Sequence, residues 1–291
     1  MFSELLQFLF SGLTVGAMYA LAALGYALIY NASHIVNFAQ GEFIMLGAMI
    51  ASALTEAGLG LPVAIAMAIA VSVIAGMGME RLAIRPARGA PLVALLIVTL
   101  GVALVIRGAV QVALGKGNHA LPAFSGDTPL HLGGATLVPQ SLWVFGVTLL
   151  VVMGLAWYFG RTVSGKAMLA TSQNRLAAEL VGVSTNRVLL ASFALSGALG
   201  AIGGVITAPI TFTSYDAGVV LGLKGFAAAA LGGIGSGPGA IVGGLALGVM
   251  EAMSAGYVSA AYKDAVAFVL ILLVLMFMPR GLFGAKVTER V

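Results

Sequence analysis

Two glycine-rich stretches of the chain have a spacing similar to that of phosphate-binding loops. Residues 160–167 (GRTVSGKA) nearly fit the P-loop pattern, and residues 235–240 (GSGPGA) fit the dinucleotide-binding pattern. However, Ala167 stands where a P-loop needs the hydroxyl that binds Mg²⁺, and neither stretch lies between a strand and a helix. Both stretches are therefore interpreted as helix ends, and the sequence predicts no nucleotide-binding site in this chain.

Metal, thiol and serine–histidine chemistry also lack the residues that they need. The chain has no cysteine, and its three histidines, His34, His119 and His131, have no partner at metal-ligand spacing. We therefore predict no catalytic residue, no metal site, no cofactor and no enzyme activity in this chain.

Ionisable side chains within apolar stretches are the remaining candidates, because such groups usually mark function in membranes. Glu251 lies deep in one apolar run, Arg107 lies near the end of another, and Glu42 stands at the start of a third. A buried carboxylate needs a partner, and Arg107 with Glu251 is one pairing that the sequence allows. At a helix start, the dipole favours the Glu42 carboxylate.

The elements that must position these groups are strongly hydrophobic. Of 291 residues, 14 are Lys or Arg and 10 are Asp or Glu, so 8% are charged, and 60% are hydrophobic. Soluble domains carry roughly 25% charged residues, so a soluble enzyme, a nucleic-acid-binding protein and a disordered chain are excluded. The sequence predicts an all-α integral membrane protein, a polytopic helical bundle of eight or nine hydrophobic segments. The segments are residues 5–30, 41–56, 60–79, 91–114, 141–160, 188–213, 222–236, 239–256 and 264–279.

Two stretches leave the number of full crossings open. Residues 222–236 would span only about 22 Å as a helix, so they and residues 239–256 either cross fully or form a re-entrant pair. Residues 31–40 contain no Lys or Arg, and we expect them at membrane depth, lining a cavity beside a broken helix. Broken helices of this kind are typical of transporter binding sites.

The distribution of Lys and Arg predicts the orientation. One set of connections holds ten of them, whereas the opposite set holds only Lys116 and Lys263. Positive charge marks the cytoplasmic side, so the connection 161–187 and the C-terminus are expected in the cytoplasm, and residues 115–140 outside. Nine crossings would place the N-terminus outside. The ten Lys and Arg residues of the connections predicted to be cytoplasmic are Arg81, Arg85, Arg88, Arg161, Lys166, Arg175, Arg187, Arg280, Lys286 and Arg290.

The longest cytoplasmic connection contains a short amphipathic pattern. Residues 173–182 place Leu176, Leu180 and Val181 on one side of a helix, with Arg175 and Glu179 towards water. A glycine at position 182 suits the helix C-terminus. The connection is either a docking element for a partner or a plain surface connector.

Small residues recur at four-residue spacing and predict close helix packing. The four pairs are Gly12 with Gly16, Gly200 with Gly204, Gly239 with Gly243, and Gly244 with Gly248.

Several motifs, in order along the whole chain, resemble the LivH-type permeases of branched-chain amino acid ABC importers. They are GLTVGAMYAL (12–21), VNFAQGE (36–42), ERLAIRP (80–86), GVSTNR (182–187), GLKGFAAAALGGIGS (222–236), YKD (262–264) and MPRGL (278–282). The resemblance implies one permease domain over residues 1–291, a second related permease, two ABC ATPase subunits and a periplasmic substrate-binding protein. It also implies a multi-pass protein of the bacterial inner membrane.

The resemblance also implies where the ATPases dock. Residues 176–182 (LAAELVG) are similar to the E-A-A-x-x-x-G pattern of ABC permeases, with Leu176 in place of the glutamate. The connection 161–187 is therefore expected to couple to the ATPases, through Arg175, Leu176, Ala177, Ala178, Glu179, Gly182 and Arg187.

The expected function is translocation of branched-chain amino acids, powered by ATP hydrolysis in the partner subunits. Gln40 stands where the family often has histidine, so other amino acids, amides or urea stay open as substrates. The alternative is an ion-coupled secondary transporter of a small solute. The expected substrate path consists of Asn31, Asn37, Gln40, Glu42 and Glu251.

Overall fold

Each predicted segment corresponds to one helix in a computed structural model of the chain, which describes residues 2–126, 128–132 and 134–284. The prediction of an all-α polytopic bundle is therefore confirmed for the described residues. The bundle helices are α1 (Phe2–Ser33), α2 (Gln40–Glu56), α3 (Leu61–Met79), α4 (Leu92–Leu114), α5 (Pro139–Arg161), α8 (Thr185–Thr211), α9 (Ala217–Gly232), α10 (Gly237–Tyr257) and α11 (Lys263–Phe277). The connections contain a π-helical turn (Glu80–Ile84), the strands β1 (Leu130–Leu132) and β2 (Ala135–Leu137), and the helices α6 (Val163–Gln173) and α7 (Arg175–Leu180).

Helix length divides the bundle into two groups. In the part of the chain that the structure describes, α1, α3 with its π-helical turn, α4, α5, α8 and α10 are long and apolar enough to cross a membrane. The helices α2, α9 and α11 have 17, 16 and 15 residues. Such helices span roughly 22–26 Å, less than a hydrocarbon core of about 30 Å. Their ends therefore depend on neighbouring protein for hydrogen-bond partners.

The bundle has two ends, which we call the hairpin end and the Arg-rich end. At the hairpin end, β1 and β2 pair antiparallel, and the Thr136 backbone donates to the Gln7 side chain at 2.6 Å. The Arg-rich end carries the connection 161–187. There, Asn31 of α1 and Ser172 of α6 line the same cleft. Helix α1 therefore runs from the hairpin end to the Arg-rich end, through the middle of the bundle, where it packs on α8, α9 and α10.

Glycines bring α1 and α10 into backbone contact. A Cβ atom added to Gly16 would lie 2.9 Å from the Leu245 Cα atom, and one added to Gly248 would lie 2.4 Å from the Gly16 Cα atom. No larger residue fits this antiparallel crossing without displacing a helix. The packing role predicted for all four glycine pairs is confirmed, since each of the following would meet a neighbouring helix: Gly12, Gly16, Gly200, Gly204, Gly239, Gly243, Gly244 and Gly248.

The pair α9–α10 reaches from the interior of the bundle to the Arg-rich end and back. The turn between the two helices lies against the last turn of α1, where the Asn31 side-chain amide donates to the Gly235 carbonyl at 2.7 Å. At the other end of α10, a Cβ atom on Gly256 would meet the Phe8 ring near the start of α1. Helix α10 is therefore long enough to traverse the bundle, whereas α9, with 16 residues, is one of the shorter apolar helices.

The segment after α11 caps α9 at the Arg-rich end. The backbone N–H groups of Leu282 and Phe283 donate to the carbonyls of Leu231 and Gly232, each at 2.9 Å. These carbonyls belong to the last turn of α9 and have no partner within the helix. Lys286 and Arg290, two of the charges used to predict orientation, lie outside the described residues.

Candidate functional site

The connection 161–187 folds as two capped helices. The side-chain oxygens of Thr162 and Asn174 each accept a backbone N–H from three residues later, at 3.0 Å, and so cap α6 and α7. Gly182 follows α7 with a φ of +89°, which suits glycine because it has no Cβ atom. The helix predicted over residues 173–182 therefore corresponds to α7 and its C-terminal turn.

Helix α7 presents an apolar face that nothing in the described chain covers. The exposed fractions of Leu176, Leu180 and Val181 are 74%, 88% and 79%. Ala178 is only 3% exposed, because it points back into its own chain. The outward surface of α7 therefore consists of the larger apolar residues, and the coupling role of Ala178 stays a prediction. The remaining predicted coupling residues are exposed: Arg175, Ala177, Glu179, Gly182 and Arg187.

The carboxylate of Glu179 ties α7 to the start of α8. It accepts a hydrogen bond from the Thr185 hydroxyl at 2.7 Å and another from the Arg175 guanidinium at 3.2 Å. These hydrogen bonds, the Thr185 bond first, hold the pKa of Glu179 below its usual range. The carboxylate is therefore charged at neutral pH and links α7 to the first residue of α8.

The break before α2 lies inside the bundle. The Gln40 side-chain amide donates to the Ser196 carbonyl at 3.2 Å, and its oxygen accepts from the Ser196 hydroxyl. The Gln40 amide also sits against Gly25, which is eight residues before the end of α1, about 12 Å along the helix. Gln40 and Asn37 have no exposed surface. These two side chains are enclosed by protein and do not line the described cleft, so the expected cavity beside residues 31–40 is not formed by them.

The half-buried Arg107 pairs with a different carboxylate from the one proposed on sequence grounds. Arg107 forms an ion pair with Glu42 at 2.5 Å, because α4 packs directly against α2. The suggested pairing of Arg107 with Glu251 is therefore wrong. Glu42 is 1% exposed, so removing Arg107 would leave a buried charge without compensation, a change that typically costs about 3–5 kcal/mol.

Glu251 lies in a second buried cluster of charges. Its carboxylate accepts from Lys224 of α9 at 2.8 Å and from the Tyr19 hydroxyl of α1 at 2.9 Å. Lys224 also donates to Asp264 at 2.7 Å, which connects the start of α11 to α9 and α10. Sequence reasoning missed this cluster, although a lysine within an apolar run was a signal that a carboxylate partner should exist.

The five predicted path residues do not meet in one place. Asn31 lines a cleft of about 390 Å³ at the Arg-rich end, between α1, α5, α6 and α10. Its walls are mainly apolar and include Leu24, Leu28, Val152, Leu155 and Phe159. Glu42 and Glu251 belong to the two separate ion-pair clusters, and Asn37 and Gln40 are packed in the break. Only Asn31 faces a space that a small solute could enter.

The two glycine-rich stretches of the sequence are helix ends, as predicted. Ser236 caps α10 by accepting the Gly239 backbone N–H at 3.1 Å, and Gly165 packs in the first turns of α6 against Tyr158. Among the residues that the structure describes, no group of three or more His, Asp or Glu side chains could hold a metal ion.

The chain is similar over its whole length to bacterial permeases. It is 35% identical to the high-affinity branched-chain amino acid transport system permease protein LivH of Escherichia coli K12, over 100% of this chain and 99% of the relative. It is 36% identical to the corresponding protein BraD of Pseudomonas aeruginosa, over 98% of both chains. A more distant relative, the autoinducer 2 import system permease protein LsrC of Enterobacter sp., is 31% identical over 79% of this chain.

A solved structure supports the fold independently. PsaBC from Streptococcus pneumoniae, in complex with Fab, aligns with a TM-score of 0.52 at 14% identity, over 97% of this chain and 98% of the other. The sequence model of the family described as "Branched-chain amino acid transport system / permease component" matches residues 8–275. The helical bundle agrees with this match and with the full-length relatives, and the chain belongs to the branched-chain amino acid transport system permease family.

Proposed function

We propose that the chain is the membrane-spanning permease subunit of an ATP-binding-cassette importer that translocates branched-chain amino acids. One observation carries the proposal, the identity of 35–36% over essentially the full length of relatives named for this transport. The autoinducer 2 permease is less similar and covers less of the chain, which favours an aliphatic amino acid as the substrate.

We assign the proposed partners to the two ends of the bundle. Two ATPase subunits dock at the Arg-rich end, where α7 presents Leu176 and Leu180. A periplasmic substrate-binding protein delivers the substrate at the hairpin end, and a second related permease completes the channel. In this arrangement the Arg-rich end and the C-terminus face the cytoplasm of a bacterium, residues 1–291 form one permease domain, and residues 161–187 form its coupling element.

We place the inner part of the substrate path at the cleft beside Asn31. Its aliphatic walls suit a branched side chain, and the Asn31 amide supplies a polar group beside them. Asn37, Gln40, Glu42 and Glu251 act indirectly, because each is buried and three of them have partners that hold the broken helices in position. An ion-coupled secondary transporter is not favoured, since both buried carboxylates of these clusters are already paired with cations.

The docking face gives the experiment that tests the proposal. In the complete transporter, Leu176→Asp combined with Leu180→Asp should remove two apolar contacts, each worth about 1.5–3 kcal/mol when buried. We expect ATPase retention on the purified permease to fall at least about tenfold, with ATP-driven leucine uptake into proteoliposomes falling in parallel. Leu130→Asp at the hairpin end is the matched control, because this leucine is also exposed, and it should retain the ATPase.

Two results would contradict the proposal. Full ATPase retention in the double variant would show that α7 is only a connector. Absence of leucine, isoleucine and valine uptake by the wild-type transporter, reconstituted with its ATPases and binding protein, would remove the assigned substrate class.

A further inference from the structure

The connection between α3 and α4 begins with an irregular turn at the Arg-rich end. Residues Glu80–Ile84 are π-helical, and the Arg85 backbone N–H donates to the Glu80 carbonyl at 2.7 Å. Glu80 is only 2% exposed although it is a carboxylate beside the cytoplasmic-type surface. Single π-helical turns occur frequently at functional sites, and neither docking nor the substrate cleft accounts for this one.

Arg88 bridges this turn to another part of the chain. One terminal nitrogen of its guanidinium donates to the Glu80 carboxylate, and the other donates to the side-chain oxygen of Asn186 in the first turn of α8. The planar fork of arginine can hold both acceptors at once, whereas a lysine is a single point of charge. The π-helical turn is thereby fixed to the N-terminus of α8.

The same turn of α8 is fixed to α7 from the other side. Thr185, the neighbour of Asn186, donates its hydroxyl to Glu179 of α7 at 2.7 Å. Adjacent residues of α8 therefore contact the coupling helix and the α3–α4 connection. Charged and hydrogen-bonded side chains thus connect α7, through the start of α8, to the base of α3 and α4.

We propose that Arg88 is a positioning residue that transmits the movement of α7 to α3 and α4. Leu176 and Leu180 hold the ATPase, whereas Arg88 determines whether closure of the ATPase moves the bundle. The inference rests on the proposed function, because α7 transmits a force only if a partner docks on it. Loss of Arg88 is therefore expected to separate ATP hydrolysis from transport while the partner stays bound.

The test compares variants within the complete transporter in proteoliposomes. Arg88→Ala, Asn186→Ala and the double variant are measured for bound ATPase per permease, ATP hydrolysed and leucine transported. We expect normal ATPase retention, continued hydrolysis and a fall in leucine transported per ATP of roughly 2- to 30-fold, the range of coupling mutations. Arg85→Ala is the matched control, because Arg85 is exposed on the same connection and no side-chain hydrogen bond ties it to this network.

A double-mutant cycle separates transmission from simple loss of structure. If Arg88 and Asn186 act through their bond, the double variant should transport per ATP no less than the worse single variant. Additive losses, or an unchanged ratio in both single variants, would overturn the inference. Should Arg88→Ala fail to accumulate, Asn186→Ala decides alone, since Asn186 is exposed and its loss leaves the Arg88–Glu80 pair in place.

Different results would contradict the proposed function and the transmission route through Arg88. Wild-type uptake and ATPase retention in the Leu176/Leu180 variant test the proposed function. The transport-to-hydrolysis ratio of Arg88→Ala relative to wild type tests the transmission route. Loss of the ATPase from Arg88→Ala, with a normal ratio in Asn186→Ala, would assign Arg88 to docking and overturn the inference.

Discussion

Replacing Gly248 by alanine should destabilise the contact between α1 and α10. The added Cβ atom would lie 2.4 Å from the Gly16 Cα atom and 2.4 Å from the Gly12 carbonyl oxygen. Carbon atoms in contact normally stay about 3.5–4.0 Å apart, so the helices would have to separate by roughly 1 Å or more. Overpacking of this kind costs about 1–3 kcal/mol, because the backbone atoms at this crossing have no rotamer that could relieve it.

A matched glycine separates the steric cost from the helix propensity of alanine. Alanine in a helix interior gains about 0.8–1.0 kcal/mol over glycine, which would hide part of the effect. Gly154 lies in α5 with no atom within 4 Å of an added Cβ atom. Gly154→Ala therefore gains the helix propensity of alanine without a steric clash.

Thermal unfolding of both variants in detergent tests this reasoning. We expect the midpoint of Gly248→Ala to lie roughly 2–12 °C below that of Gly154→Ala, from about 2–4 °C per kcal/mol. Equal midpoints would show that the helices separate at no cost, and the packing argument would be refuted.

Three further predictions follow from local geometry. His34 has a φ of 56°, so His34→Gly should relieve about 1–2 kcal/mol of backbone strain and lose about 0.4–1 kcal/mol to the freer unfolded chain. The expected net rise in the unfolding free energy is about 0.8 kcal/mol in thermal denaturation, and a fall would contradict the strain argument. The chain has no native cysteine, so Cys introduced at Ser125 should react with a membrane-impermeant reagent in intact cells, and Cys at Gln173 only after permeabilisation; the reverse pattern would invert the orientation. The lowered pKa of Glu179 contributes stability above the carboxyl's unfolded pKa and loses it as pH falls through the folded value. Thr185→Val should therefore raise the Glu179 pKa in an NMR titration, and an unchanged value would contradict this.

Much of the fold could be predicted because the membrane restricts the possible structures. Apolar runs of 15–26 residues can satisfy their backbone only as helices, and each of them is a helix in the structure. The glycine pairs were also informative, because small residues at four-residue spacing have one main use in a bundle. The C-terminal end of α7 could be predicted from Gly182, because the positive φ angle that follows a helix favours glycine.

The partners of the buried charges could not be predicted from spacing. Arg107 and Glu42 are 65 residues apart, and Lys224 and Glu251 are 27 apart, so the pairing depends on which helices become neighbours. Likewise, the amphipathic pattern of residues 173–182 does not tell which residues face the bundle. Ala178 is buried and Leu180 is exposed, because α7 lies at the surface and turns its small residue inwards.

The arrangement of the buried charges bears on how transport is powered. Glu42 and Glu251 are each held by a cation, and breaking such a pair by losing one partner costs about 3–5 kcal/mol. A membrane potential supplies about 2.3 kcal/mol per charge per 100 mV, which is less than this cost. Among the described residues, the exposed leucines of α7 instead offer a surface where an outside subunit can apply force. The energy source is therefore expected at the Arg-rich end, while the two ion pairs fix α2 to α4 and α9 to α10.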